Sequence, residues 1–163
     1  MTAKQVQIGD RPCRIYGTNC AVNLLLQMTD EHELQNMDSE VEAIAQGSAH
    51  SFLFAAVPVK SWNDELSPWE APAVWGKESF GGNAAGTLRF LTEQAIPALK
   101  KQFALPENVR IILGGYSLAD CLLCGHPRRQ LCFPVLRPLR HLCGFRDGWS
   151  LSNSTPFRHS AFI

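Results

Sequence analysis

Val109-Arg110-Ile111-Ile112-Leu113-Gly114-Gly115-Tyr116-Ser117-Leu118-Ala119 is the stretch on which the reading of this chain turns. A short apolar run that ends in two glycines and a serine reads as a buried strand running into a sharp turn. A strained strand-to-helix turn of this kind lifts a serine hydroxyl above the end of a parallel sheet, as in a nucleophile elbow. The turn requires small residues two positions either side of the serine, because a longer side chain would collide across it. Gly115 and Ala119 hold those positions. The usual pattern has glycine at both, and alanine is the next smallest residue.

The segments upstream supply the rest of such a sheet. Cys13-Arg14-Ile15-Tyr16 and Val22-Asn23-Leu24-Leu25-Leu26-Gln27-Met28 read as strands, the second nearly continuous in apolar character, as a sheet covered on both faces requires. Asp30 can cap a helix whose first turn carries Glu31 and Glu33, where the dipole favours acids. Leu34, Met37, Val41, Ile44 and Ala45 recur at helical spacing, so the segment from about Glu31 to Gln46 is expected to be amphipathic. Ser51-Phe52-Leu53-Phe54-Ala55-Ala56-Val57 is the next buried strand, and a long loop rich in Trp, Pro and Gly runs from Pro58 to Asn83. Ala84 to Phe103 has Leu88, Leu91, Ala95, Leu99 and Phe103 on one helical face, with Pro97 expected to kink or divide it. Strands alternating with helices predict an α/β sheet with right-handed crossovers.

Composition divides the chain at Asp120. Residues 1–119 carry nine basic and thirteen acidic side chains, net −4, whereas residues 120–163 carry six arginines, no lysine and two acids, net +4. Four of the six cysteines lie in that second part. No run of 18 or more apolar residues exists, so no transmembrane helix is expected. The first residues, Met1-Thr2-Ala3-Lys4-Gln5, lack the apolar segment of a secretion signal, which points to the cytoplasm.

Val109 to Ala119, taken with Val57-Pro58-Val59-Lys60-Ser61-Trp62-Asn63-Asp64-Glu65-Leu66-Ser67-Pro68-Trp69, resembles the bacterial esterases of the α/β-hydrolase superfamily. The group in question includes esterase D-like and enterobactin-esterase-like proteins, and the resemblance covers most of residues 10–119. It implies an incomplete α/β-hydrolase domain over 1–119 that acts on a small-molecule ester through a Ser–His–acid triad. Ser117 matches the nucleophile, and Leu118 would supply one oxyanion N–H. The second donor is expected in the loop after the third main strand, near Ser61 or Trp62, and Trp62 is carried as the candidate. Trp62, Trp69 and Trp75 could also form an acyl-binding wall, although loop tryptophans more often cover core. This reading calls for no metal, no organic cofactor, no nucleic acid and no membrane.

Residues 120–163 break the resemblance. Where the family continues with a helix under the sheet, this chain has Asp120-Cys121-Leu122-Leu123-Cys124-Gly125-His126-Pro127-Arg128-Arg129. Codons can be chosen for Asp120–Gly125 that, read one base over, encode Gly-Leu-Phe-Ala-Leu-Trp. The same shift lets His141–Gly148 encode Ala-Ser-Val-Trp-Phe-Pro-Gly, which resembles a later esterase segment. A shifted frame near Asp120 is therefore expected, leaving an irregular, poorly ordered tail. The triad acid and histidine would then be lost and the chain as written truncated and inactive. His126, His141, His159 and Asp147 follow the serine without a recognisable strand to place them.

The alternative takes the tail at face value. Cys121, Cys124, His126, Cys132, His141 and Cys143 offer soft ligands for a structural zinc, and the arginines could meet nucleic-acid phosphates, giving a non-catalytic binding module. Against it stands the spacing, with one tight Cys-x-x-Cys and the other pair separated by ten intervening residues. A third reading keeps the hydrolase core as an interaction domain without catalysis.

Overall fold

The computed structural model describes residues 1–119 apart from Trp75 and Tyr116; the expectations for residues 120–163, including the zinc ligands and the late histidines, lie outside the described residues. Lys4–Ile8 (β1) and Arg11–Gly17 (β2) form an antiparallel hairpin closed between Ile8 and Arg11, with Gly9 at φ +57° in its turn. The sequence reading contains no strand before Cys13. Val6 and Ile8 give only two alternating apolar positions, too short a periodic signal, and the Gly9-Asp10 pair is the cue that marks the hairpin.

Asn23–Thr29 (β3), Phe52–Pro58 (β4) and Arg110–Gly114 (β7) complete a sheet in the order β1-β2-β4-β3-β7. β2 runs antiparallel to β4, while β4–β3 and β3–β7 are parallel. Six of the seven residues of β4 are buried, the continuous burial that a strand covered on both faces demands. Gly17 ends β2 at φ +113°, a conformation that a Cβ would disfavour and for which the sheet leaves no room beside the Phe52 carbonyl.

Glu33–Gly47 (α1) crosses from β3 to β4. Its start is set by a reciprocal cap: the Glu33 N–H donates to Asp30 Oδ1 at 2.7 Å, and the Asp30 N–H donates to Glu33 Oε2 at 3.2 Å. Met37 and Val41 are buried against Tyr16, Phe52, Phe54 and Ala56, with Leu34, Ile44 and Ala45 packed around them, as the spacing predicts. Tyr16 and Phe54 stand opposite each other in the β2–β4 ladder and meet edge to face, ring centres 6.1 Å apart.

The opposite face carries the larger core. Ala84–Phe90 (α3) and Ile96–Gln102 (α4) are joined by a π-helical turn, Leu91–Ala95, within the expected helix. Pro97 accounts for the division, since its nitrogen cannot donate and its ring crowds the preceding turn. The Ile96 N–H donates to the Leu91 carbonyl five residues back, so widening the turn takes up the lost register. Leu91, Ala95, Leu99 and Phe103 pack against Ile15, Leu24, Leu26, Leu53 and Val57. Between β4 and α3 the expected loop contains structure of its own: Trp62–Glu65 (α2) and a small hairpin of Glu70–Ala71 (β5) and Phe80–Gly81 (β6). No helix of the described residues is long and apolar enough to cross a membrane.

Candidate active site at the carboxyl edge of the sheet

Topology identifies the crevice before any side chain is considered. β3 and β7 are adjacent and parallel, with Gln27 opposite Gly114. The helix after β3 covers one face of the sheet, whereas the chain after β7 turns helical at residues 118–119, and Ala119 enters the core of the other face. Neighbouring strands whose connections leave to opposite faces make a switch point, and ligands of open α/β sheets bind outside the carboxyl ends of the strands there. Ser117 and the loop at residues 30–32 both lie at that point.

Ser117 is exposed and holds φ +56°, one of three non-glycine residues with positive φ among those described. A β-carbon added to Gly115 would sit 2.5 Å from the Ala119 Cβ, closer than real Cβ atoms approach, so the turn closes only because residue 115 has no side chain. Positive φ at a serine costs about 1 kcal/mol or more and persists only where the surroundings impose it. Leu118 packs partly against the larger core, which places its N–H at the start of the helical turn that follows.

Trp62 opens α2 after β4, and its ring packs partly into the larger core. Because β1 precedes the strands read from sequence, Asn23–Thr29 is the third strand and Phe52–Pro58 the fourth. The loop after the third strand is therefore residues 30–32. The segment at Ser61 and Trp62 follows a strand two steps from β7, about 10 Å away at about 4.8 Å per step. Glu31 and His32 follow β3 at the same edge of the sheet as Ser117, a placement that the sequence reading, lacking the first strand, does not contain. Trp69 is 52% exposed, whereas Trp62 packs partly against the larger core. Of the two described histidines, His50 precedes β4 and so lies at the opposite, amino edge, while exposed His32 stands at the Ser117 edge. No group of three or more His, Cys, Asp or Glu suited to a metal ion occurs among the described residues.

A buried ion pair fixes the β4–α2 loop. Arg11 Nη2 donates to Glu65 Oε2 at 2.5 Å, with the two side chains only 12% and 8% exposed. Arg11 Nη1 donates to the Pro58 carbonyl at 2.9 Å, and the guanidinium lies 4.7 Å from the centre of the Phe90 ring. The other Glu65 oxygen accepts the N–H groups of Lys60 at 2.7 Å and Ser61 at 3.2 Å. Thr87 Oγ1 donates to the Glu65 carbonyl at 2.7 Å, which ties the loop to α3.

Cys13, beneath this loop on β2, is fully buried, and burial pushes its thiol from 9.0 up to about 11. The folded protein therefore holds that proton more tightly than the unfolded chain. Stability from this group is present below pH 9 and is lost as the pH rises to about 11, a fall of about 2–3 kcal/mol. Urea unfolding across that window checks this, with Cys13→Ala expected to show a shallower alkaline decline. Burial, with Asp38 as hydrogen-bond partner at 2.6 Å, raises the Tyr16 hydroxyl in the same sense.

No protein-family model matches the sequence, and no curated protein matches it. Solved structures match in fold. A siderophore hydrolase, EstB from Aspergillus nidulans, superposes with TM-score 0.56 at 13% identity over 80% of this chain and 52% of that one. An uncharacterised protein from Capnocytophaga ochracea DSM 7271 gives TM-score 0.50 at 13% identity over 75% of this chain and 34% of that one. The chain thus spans about half the length of the first structure and a third of the second. At such identities the likeness concerns the fold, and with the strand order above it defines the class: an α/β-hydrolase-like fold.

Proposed function

We propose that this chain carries the nucleophile part of a serine hydrolase acting on small carboxylic esters. The observation that carries the reading is Ser117, exposed and at φ +56°, in a turn closed by the Gly115–Ala119 approach at the switch point of the sheet. In the proposed reaction Ser117 Oγ attacks the ester carbonyl carbon while a general base takes its proton. The Leu118 N–H and a second N–H, from Trp62 or from the loop at residues 30–32, hold the developing oxyanion. The alcohol leaves with that proton, and water then releases the acid and frees the serine.

The base and its acid partner follow the nucleophile in chain order in this fold. They therefore belong to residues 120–163 or to the shifted frame. A serine without a base is a weak nucleophile at neutral pH, so the chain as written is proposed to turn over esters poorly or not at all.

The test is to resequence the coding DNA across Ala119 and to treat the resulting product with a fluorophosphonate. An extra base in the DNA, together with labelling at Ser117 that Ser117→Ala abolishes, is the expected result. An unchanged coding sequence whose product is neither labelled nor active on short p-nitrophenyl esters overturns it. Stoichiometric zinc in that product would then favour the binding module.

A further inference from the structure

We infer that the open groove between the β4–α2 loop and residues 77–81 binds a neutral, hydrogen-bonding portion of the substrate rather than a hydrocarbon chain. The inference rests on the hydrolase reading and adds to it the class of ester. The groove encloses about 510 Å³ and begins just beyond the carboxyl end of β4, on the same edge of the sheet as Ser117. Lys60, Ser61, Asn63 and Asp64 line one side, and Lys77 and Ser79 line the other. Among the described lining residues Trp62 is the one large apolar side chain.

Ligand pockets are ordinarily apolar with a few polar groups that fix orientation, and here the proportion is reversed. A hydrocarbon chain would strip water from ammonium, carboxylate, hydroxyl and amide groups and return no hydrogen bonds to them. Charge narrows the class further. The lining holds two lysines, Lys60 and Lys77, and two carboxylates, Asp64 and Glu78, and Lys60 already pairs with Asp10 at 2.5 Å. With neither sign dominant, a strongly anionic or cationic ligand gains little over water. A ligand bearing hydroxyl and amide groups can satisfy both donors and acceptors.

The groove is also held in place before any ligand arrives. The Arg11–Glu65 pair fixes Lys60 and Ser61 through their N–H groups. Across from them, Gly81 packs against the Asp64 side chain, and the Asn83 N–H donates to the Asp64 carbonyl at 2.9 Å. The Lys60–Asp64 side is thus tied to the chain at residues 81 and 83, which lowers the ordering that would oppose binding on that side.

Titration of the ¹⁵N-labelled full chain with N-acetylserinamide, and separately with 2-octanone, tests the inference without requiring catalysis. Saturable amide shifts confined to residues 60–64 and 77–81 are expected with N-acetylserinamide, and none there with 2-octanone. Asn63→Ala combined with Ser79→Ala is expected to weaken the binding about 5- to 50-fold, the loss of two neutral hydrogen bonds. Both residues are solvent-accessible on the groove, so the fold survives their truncation. Equal or larger shifts with 2-octanone, no shifts with either compound, or undiminished binding by the double variant overturns the inference. Binding in the groove by a protein whose Ser117 resists the fluorophosphonate would remove the hydrolase reading while leaving the groove's preference intact.

Discussion

Glu65→Leu is expected to cost about 3–5 kcal/mol, the usual consequence of removing one partner of a buried ion pair. The variant leaves the Arg11 guanidinium, 12% exposed at its side chain, without its counter-ion and takes the acceptor from two backbone N–H groups. Against a total stability of about 5–15 kcal/mol for a domain, such a loss removes a large fraction of it. The double variant Arg11→Met with Glu65→Leu is expected to recover most of the loss, because apolar replacements of similar volume remove both desolvated charges together. The loop should not recover with it. The Lys60 and Ser61 amides still lack the Glu65 carboxylate and should exchange at least about tenfold faster with deuterium than in the parent, given the energy of one charge-assisted hydrogen bond. Urea midpoints for the three proteins, with amide exchange at those positions, measure both effects. A single variant that costs less than about 1 kcal/mol would place the pair in the solvated class instead.

Gly115→Val is expected to destabilise by about 1–3 kcal/mol, the range for forcing extra atoms into a packed site. The added Cβ would lie 2.5 Å from the Cβ of Ala119, which is fully buried and cannot retreat. The adjacent Gly114→Ala is the control. There the nearest atoms to a new Cβ are Gln27 Oε1 at 3.7 Å and the Leu26 carbonyl at 3.9 Å, ordinary contacts that should change stability by less than about 1 kcal/mol. If Ser117 depends on this turn for its exposure, any fluorophosphonate labelling should disappear in Gly115→Val and persist in Gly114→Ala. Two neighbouring glycines that proved equally sensitive would remove the steric account of the turn.

Much of the sheet was legible because its strands are short apolar runs bounded by turn residues. Phe52–Pro58 and Arg110–Gly114 appear within a residue or two of where their apolar character places them. Helix α1 follows from spacing and from the Asp30/Glu33 cap. The hairpin of β1 and the segments within residues 58–83 were not legible. β1 carries only two buried side chains, and α2, β5 and β6 are four residues or fewer each, too short for any period to register. That omission shifted the strand count by one, so the loop after the third strand is residues 30–32, whereas the segment at Trp62 follows the fourth.

The sequence by itself determined the apolar strands, the amphipathic crossovers and a serine set between small residues, because period, turn chemistry and side-chain size act over a few neighbours. Only the tertiary structure decided which strands lie side by side. Placing β3 against β7 sets residues 30–32 and Ser117 at the same edge of the sheet, and threading Arg11 beneath residues 58–65 pairs it with a glutamate 54 positions later in the chain. Such contacts come from closing the sheet over one core, where burying an arginine requires a carboxylate beside it, and no local pattern in the sequence encodes which carboxylate that will be.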